Sequence, residues 1–255
     1  MIRIVSLKKS FNGAPVLAGV DFEIHEGETV VIIGRSGGGK SVLLKHLCGL
    51  LKPDDGEVWV DDENIVPLSE RQLAPIRRKF GFLFQGAALF DSLTLFENVA
   101  FPLREKRTFS EEEITRRVEE ALEIVGLAGA GHKKPAELSG GMKKRAGLAR
   151  AVVGTPKYLL YDEPTTGLDP IRADTINNLI LRLRDRYQVT GVAVTHDMAS
   201  AYKIADRIAM LHEGRIHTVG TPAQIQATTD PIVRQFIHGI ADISQEVQSG
   251  NTTTH

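Results

Sequence analysis

Apolar residues along this chain fall into two rhythms. Unbroken apolar, β-branched runs at residues 29–33 and in the stretches 79–85, 157–164 and 191–196 predict buried strands. Helical spacing follows the first run, where Leu43, Leu47 and Leu50 fall on one face of a helix from Lys40. A second helix is predicted over 110–126, with Ile114, Val118, Ala121, Leu122 and Val125 as its stripe and Ser110 with Glu113 as a capping box. Further helices are expected over 140–154, from Asp169 to Tyr187, and from Pro231. Residues 1–30 and 55–66 predict short strands with turns at Asn12-Gly13 and Asp54-Asp55-Gly56, and 207–219 predicts a hairpin. The pattern predicts one α/β domain over 1–240, with a helical subdomain inserted at about 86–155 and a polar, mobile tail at 241–255.

Chemistry-bearing residues stand where these strands end. GRSGGGKS at 34–41 joins the run 29–33 to the helix from Lys40, which is the strand–turn–helix context of a phosphate-binding loop. Gly34 and Gly39 let the backbone bend until its N–H groups point inward, and the helix N-terminus adds positive potential. Lys40 is positioned to reach the β- and γ-phosphates, and Ser41 to hold Mg²⁺. Asp162 and Glu163 close the strand KYLLYD. One acid suits a metal ion and the other an attacking water, because phosphoryl transfer needs mainly positioning and charge neutralisation. His196, at the end of GVAVT, is expected to touch the γ-phosphate and keep Glu163 or the water in line. Gln85, at the end of KFGFLF, is expected to contact Mg²⁺ or the water.

Two residues read both as helix caps and as more. Ser139 caps the helix that begins near Gly140, yet its hydroxyl and the N–H groups of Gly140 and Gly141 are also suited to a phosphate from another chain. Asp169 caps the helix opened by Pro170.

Composition narrows the class. Lys and Arg number 31 against 32 Asp and Glu, for a net charge of −1, which argues against a nucleic-acid partner. The cluster Lys143, Lys144, Arg145 reads as a solvated helix face. The single cysteine, Cys48, reads as a packing residue and suits a reducing compartment. No run approaches a membrane span of about 18 apolar residues, and the N-terminus lacks a signal core, so a cytosolic chain is expected.

These strings in this order resemble the ABC-type ATPases, which are P-loop NTPases. GRSGGGKS resembles their Walker A, Gln85 their Q-loop, LSGGM (138–142) their signature, YLLYDE (158–163) their Walker B, TGLD (166–169) their D-loop and His196 their switch histidine. The resemblance implies a RecA-like core, an antiparallel β-subdomain and an inserted helical subdomain. It implies ATP and Mg²⁺, with Arg35, Ser36, Gly37 and Gly38 also in the phosphate loop and Asp169 at the nucleotide site. Phe11 resembles the aromatic that stacks on adenine, with Val16 beside it. It also implies a head-to-tail dimer that sandwiches ATP, and a membrane permease received near Leu89 and Phe90, in an apolar stretch at 87–101 part of which fills the core.

More narrowly, residues 83–105, 138–151 and 230–242 resemble the ATPase subunits of the Mla lipid-asymmetry transporters. That resemblance implies phospholipid transport from the cytoplasmic face of a bacterial inner membrane, with a periplasmic lipid-binding protein reached through the permease. Met142 stands where the usual signature has Gln, as in that group, and hydrolysis is expected to survive it. A non-transport relative, such as the ATPase of iron–sulfur cluster assembly, shares the same fold and chemistry.

Overall fold

The computed structural model describes residues 1–240; the tail expected from 241 lies outside the described residues. Strands β1 (Ile2–Phe11) and β2 (Ala14–Ile24) come first, then β3 (Thr29–Ile33), helix α1 (Lys40–Leu47), β4 (Asp55–Val60) and β5 (Glu63–Asn64). Helix α2 (Glu70–Arg77), β6 (Phe80–Leu83), α3 (Leu95–Lys106), α4 (Glu111–Ile124) and α5 (Gly140–Val152) follow. The remainder runs β7 (Tyr158–Asp162), α6 (Pro170–Tyr187), β8 (Thr190–Thr195), α7 (Met198–Ile204), β9 (Arg207–His212), β10 (Arg215–Gly220), α8 (Pro222–Gln226) and α9 (Pro231–Ile237).

Two sheets result. An antiparallel one has the order β2-β1-β4-β5, and a mainly parallel one the order β10-β9-β3-β8-β7-β6. The first begins with the hairpin predicted at Asn12-Gly13, whose φ values of 50° and 80° are those a two-residue turn requires. Its first two strands are longer than expected, with 10 and 11 residues, while β4 and β5 are short, with 6 and 2. Asp55 and Gly56, expected in a turn, already belong to β4.

The parallel sheet separates two apolar cores. On one side lie Ile2, Ile4, Leu43, Leu47, Tyr158 and Leu160; on the other lie Leu95, Val99, Val118, Leu148, Leu159 and Tyr161. β7 thus sends alternate residues to opposite sides, as a strand buried on both faces does. Cys48 is buried as a packing residue, and burial pushes its thiol up to about 11. Leu50 does not share the face of Leu43 and Leu47, because α1 has ended and Leu50 is exposed.

Helices α3, α4 and α5 pack as one group against β6 and β7. The α4 stripe of Ile114, Val118, Ala121 and Leu122 is buried as expected, and each large side chain contributes about 1.5–3 kcal/mol. Only half of its predicted capping box forms. Ser110 accepts from the Glu113 N–H, but the Glu113 carboxylate pairs with Arg116 and Arg117 instead. α3 does have a complete box, in which Thr94 accepts from Glu97 N–H at 3.2 Å and Glu97 accepts from Thr94 N–H at 2.7 Å.

Candidate functional site

The order β3-β8-β7-β6 sets four parallel strands side by side with their C-terminal ends together. Ligands of open α/β sheets gather along such an edge. The phosphate loop leaves β3, His196 follows β8, Asp162 and Glu163 end β7, and Gln85 lies two residues beyond β6. Gln85 therefore sits in an exposed turn rather than at the end of the strand itself.

The loop can take this shape only with glycine at its two hinges. A Cβ at Gly34 would lie 2.4 Å from the Leu211 carbonyl oxygen. Gly39 has φ 94°, and a Cβ there would lie 3.0 Å from the Val16 side chain. That approach sets Val16 against the loop. Arg35, Ser36 and Gly37 form its exposed crest, and Gly38 N–H donates to the Arg35 carbonyl at 3.1 Å.

Lys40 folds over the loop. Its Nζ donates to the carbonyls of Gly34 at 2.9 Å and Arg35 at 3.0 Å, and lies 3.8 Å from Glu163 Oε1. Burial pulls its amine below the ordinary lysine value, while Glu163 and Asp162 act the other way. One residue on, Ser41 donates its hydroxyl to Asp162 Oδ1 at 2.6 Å.

Glu163 is nearly buried and lies in the left-handed region at φ 48°. That conformation is costly for a residue with a Cβ and persists where the surroundings hold it. Here its N–H donates to the Val194 carbonyl at 3.0 Å. Its carboxylate accepts from the hydroxyls of Thr166 at 3.0 Å and Thr195 at 3.2 Å, and lies 3.0 Å from Nδ1 of half-exposed His196. Lys40, Ser41, Asp162, Glu163 and His196 thus form one connected cluster.

The hydroxyl and carboxylate of Ser41 and Asp162 are oxygen donors of the kind Mg²⁺ takes. Among the described residues no group of three or more His, Cys, Asp or Glu could hold a metal ion. A pair of protein oxygens completed by phosphate and water matches the way Mg²⁺ is held beside nucleotides. The metal, when bound, neutralises charge on the phosphates.

Other expected residues lie apart from this cluster. Phe11 is exposed at the end of β1, with Lys9 Nζ 5.6 Å from its ring centre. Ser139 and Gly140 are exposed at the start of α5, where Ser139 Oγ accepts from Met142 N–H at 3.3 Å. A Cβ at Gly140 or Gly141 would meet Leu168 and Arg172 rather than the phosphate loop. Asp169 caps α6 through Arg172 N–H at 3.0 Å.

Lys144 and Leu89 depart from the sequence reading, and Asn98 was missed by it. Lys144, read as part of a solvated face, is buried; its Nζ donates to the Glu163 carbonyl at 2.8 Å and also to that of Gln85. Leu89, expected to be exposed, is partly buried against the core. Phe90 is exposed, and its ring lies 5.0 Å from that of Phe101, which is exposed too. The missed organiser is buried Asn98, which accepts from Phe90 N–H at 2.7 Å and donates to the carbonyls of Phe90, Leu93 and Thr94. Phe90 and Phe101 line a groove of about 640 Å³ together with Phe82, Phe84, Arg150 and Lys106. No helix among the described residues is long and apolar enough to cross a membrane.

The family model described as ABC transporter matches residues 17–166, so it includes the phosphate loop and the acid pair. The "Probable ribonucleotide transport ATP-binding protein mkl" of Mycobacterium leprae is 44% identical over 239 residues, which are 93% of this chain and 69% of that protein. The "Intermembrane phospholipid transport system ATP-binding protein MlaF" of Haemophilus influenzae is 40% identical over 223 residues, 88% of this chain and 84% of that protein. The dimeric structure of a post-hydrolysis state of the ATP-binding cassette MJ0796, bound to ADP and Pi, superimposes with a TM-score of 0.81 at 35% identity, covering 87% of this chain and 99% of that one. Relatives named for ribonucleotides and for phospholipids stand at similar identity, so the ATP-handling cassette, and not a cargo, is what they share with this chain. The chain belongs to the ABC transporter family, as an ATP-binding subunit that hydrolyses ATP with Mg²⁺.

Proposed function

We propose that two copies of this chain close head to tail over two ATP molecules and drive a permease that moves phospholipid between membranes. The observation that carries the dimer is the turn at Ser139, Gly140 and Gly141, the first two exposed and the third half-buried. It has the donors for a phosphate but lies apart from its own phosphate loop, so a second copy supplies the nucleotide to it. Each ATP then touches Arg35 to Ser41 of one copy and the Ser139 turn and Asp169 of the other, with Phe11 and Val16 at its base.

Within each site Lys40 binds the β- and γ-phosphates, and Ser41, Asp162 and Gln85 face Mg²⁺. Glu163, its carboxylate held by Thr166, Thr195 and His196, orients the attacking water, and His196 also serves the γ-phosphate. Closing a clamp from 1:99 to 99:1 takes about 5.5 kcal/mol, which a few charge-assisted hydrogen bonds of about 1.5–3 kcal/mol each provide. Hydrolysis removes that bridge and the clamp reopens.

The groove beside Phe90 and Phe101 suits a short helical segment of the permease, and Gln85, one turn away in the chain, ties it to the nucleotide. Phospholipid as cargo is supported by the alignment with MlaF, which spans most of both proteins. On this reading the chain lies at the cytoplasmic face of the inner membrane, and a periplasmic lipid-binding protein meets the permease on the other side. The test is purification of the intact complex from membranes with its subunits and lipids identified. An integral permease with bound phospholipid supports the proposal; a complex carrying no lipid, or a scaffold of soluble proteins, overturns it.

A further inference from the structure

Helix α5 grips the turn after β6 along one face. Lys144 donates to the Gln85 carbonyl, and Arg150 donates to the carbonyls of Ala87 and Ala88 at 2.6 Å each. Between them Gly147 lies so close to Leu83 that a Cβ there would come within 2.6 Å of its side chain. Ala87 and Ala88 have φ values of 62° and 46°, so the turn is held in a shape its residues do not favour. Of these grips only that of Lys144 also reaches the acid pair, through the Glu163 carbonyl at 2.8 Å. Its amine is buried next to Asp162 and Glu163, which oppose the burial cost.

We infer that Lys144 is a positioning residue for ATP hydrolysis, joining the helix that carries the Ser139 turn to both Gln85 and Glu163. A buried ammonium with two backbone acceptors is expensive to strand and specific in its geometry. It fixes the backbone from which the Glu163 carboxylate projects, and the left-handed conformation at Glu163 makes that backbone the part most in need of support. When a γ-phosphate draws the Ser139 turn inward, α5 carries the Lys144 amine with it, and Glu163 and Gln85 are aligned in the same movement. The Lys144 amine is engaged by two main-chain carbonyls, so Lys144 is expected to govern turnover and not binding.

The inference rests on the roles given above to Glu163 and Gln85, and the test separates the two. ATPase rate, ATP affinity and thermal stability are measured on the full chain carrying K144M, K144Q or E163Q. K144M is expected to lower kcat about tenfold or more with KM and ATP affinity changed less than about threefold. K144Q, whose amide keeps two N–H donors on a stem one bond shorter, is expected to recover part of that loss, and it serves as the test variant if K144M does not fold. Wild-type kcat in folded K144M overturns the inference, as does wild-type kcat in K144Q where K144M does not fold, or a loss that is equal in the two and follows their stability alone. Normal turnover in E163Q overturns instead the role of Glu163 on which the inference stands.

Discussion

Nδ1 of His196 lies 3.0 Å from the carboxylate of Glu163, a contact between the ends of two neighbouring strands, β8 and β7. The carboxylate is nearly buried and the imidazole half exposed, so the histidine is the open side of the pair. Replacing Glu163 with Gln keeps the shape and the threonine contacts but removes the charge. ATP binding is expected to persist while turnover falls by about a hundredfold or more, the range for a lost general base. Phosphate release measures the loss, and size-exclusion chromatography with Mg²⁺ and ATP is expected to show the accumulating dimer.

Lys40 spans the phosphate loop and the acid pair. Lys40→Ala removes a charge-assisted contact to phosphate, and affinity for ATP is expected to drop by about ten- to a hundredfold. Titration with a fluorescent ATP analogue reads this directly, and unchanged affinity would remove Lys40 from the site.

Ser139 is exposed and bonds only locally, to Met142 N–H. Ser139→Tyr is expected to cost about 0.5–2 kcal/mol of stability through the lost cap. Its main effect is expected in the dimer, as a fall in ATPase rate of about tenfold or more with ATP binding by the single copy retained. Full activity in this variant would refute the head-to-tail arrangement.

His46 sits on α1, buried, with Nδ1 bonded to the Val42 carbonyl at 2.7 Å and Nε2 without a partner. Burial holds its pKa below the ordinary 6.5. The unfolded chain therefore takes up this proton first as pH falls, and stability drops below about pH 6.5 with a slope of at most about 1.4 kcal/mol per unit. Thermal melts from pH 7.5 to 5.5 are expected to show the decline in the native chain and less of it in His46→Leu.

The strands that carry the site were legible because they are short apolar runs ending in polar chemistry. Each of 29–33, 158–162 and 190–195 is a strand whose ends lie within two residues of their expected places. Helices α2 and α3 were not legible, since Pro75 and Pro102 interrupt them and proline argues against a helix interior. The boxes Ser69–Gln72 and Thr94–Glu97 were the signals that marked their starts. Ser110 and Glu113 matched the same pattern, but two nearby arginines took the glutamate. Lys144 was misread because two neighbouring basic residues make it look like surface, and its acceptors are main-chain oxygens that leave no mark in a sequence. Val16, by contrast, was named from resemblance, and its approach to Gly39 supplies a physical reason for it.

Leu159 faces one core and Leu160 the other. The acids at the tip of that strand are thus clamped from above and below, like the fixed jaw of a vice. Trimming Leu159 loosens the lobe of α3, α4 and α5, trimming Leu160 loosens that of β1 and α1, and one strand serves as the bearing for both.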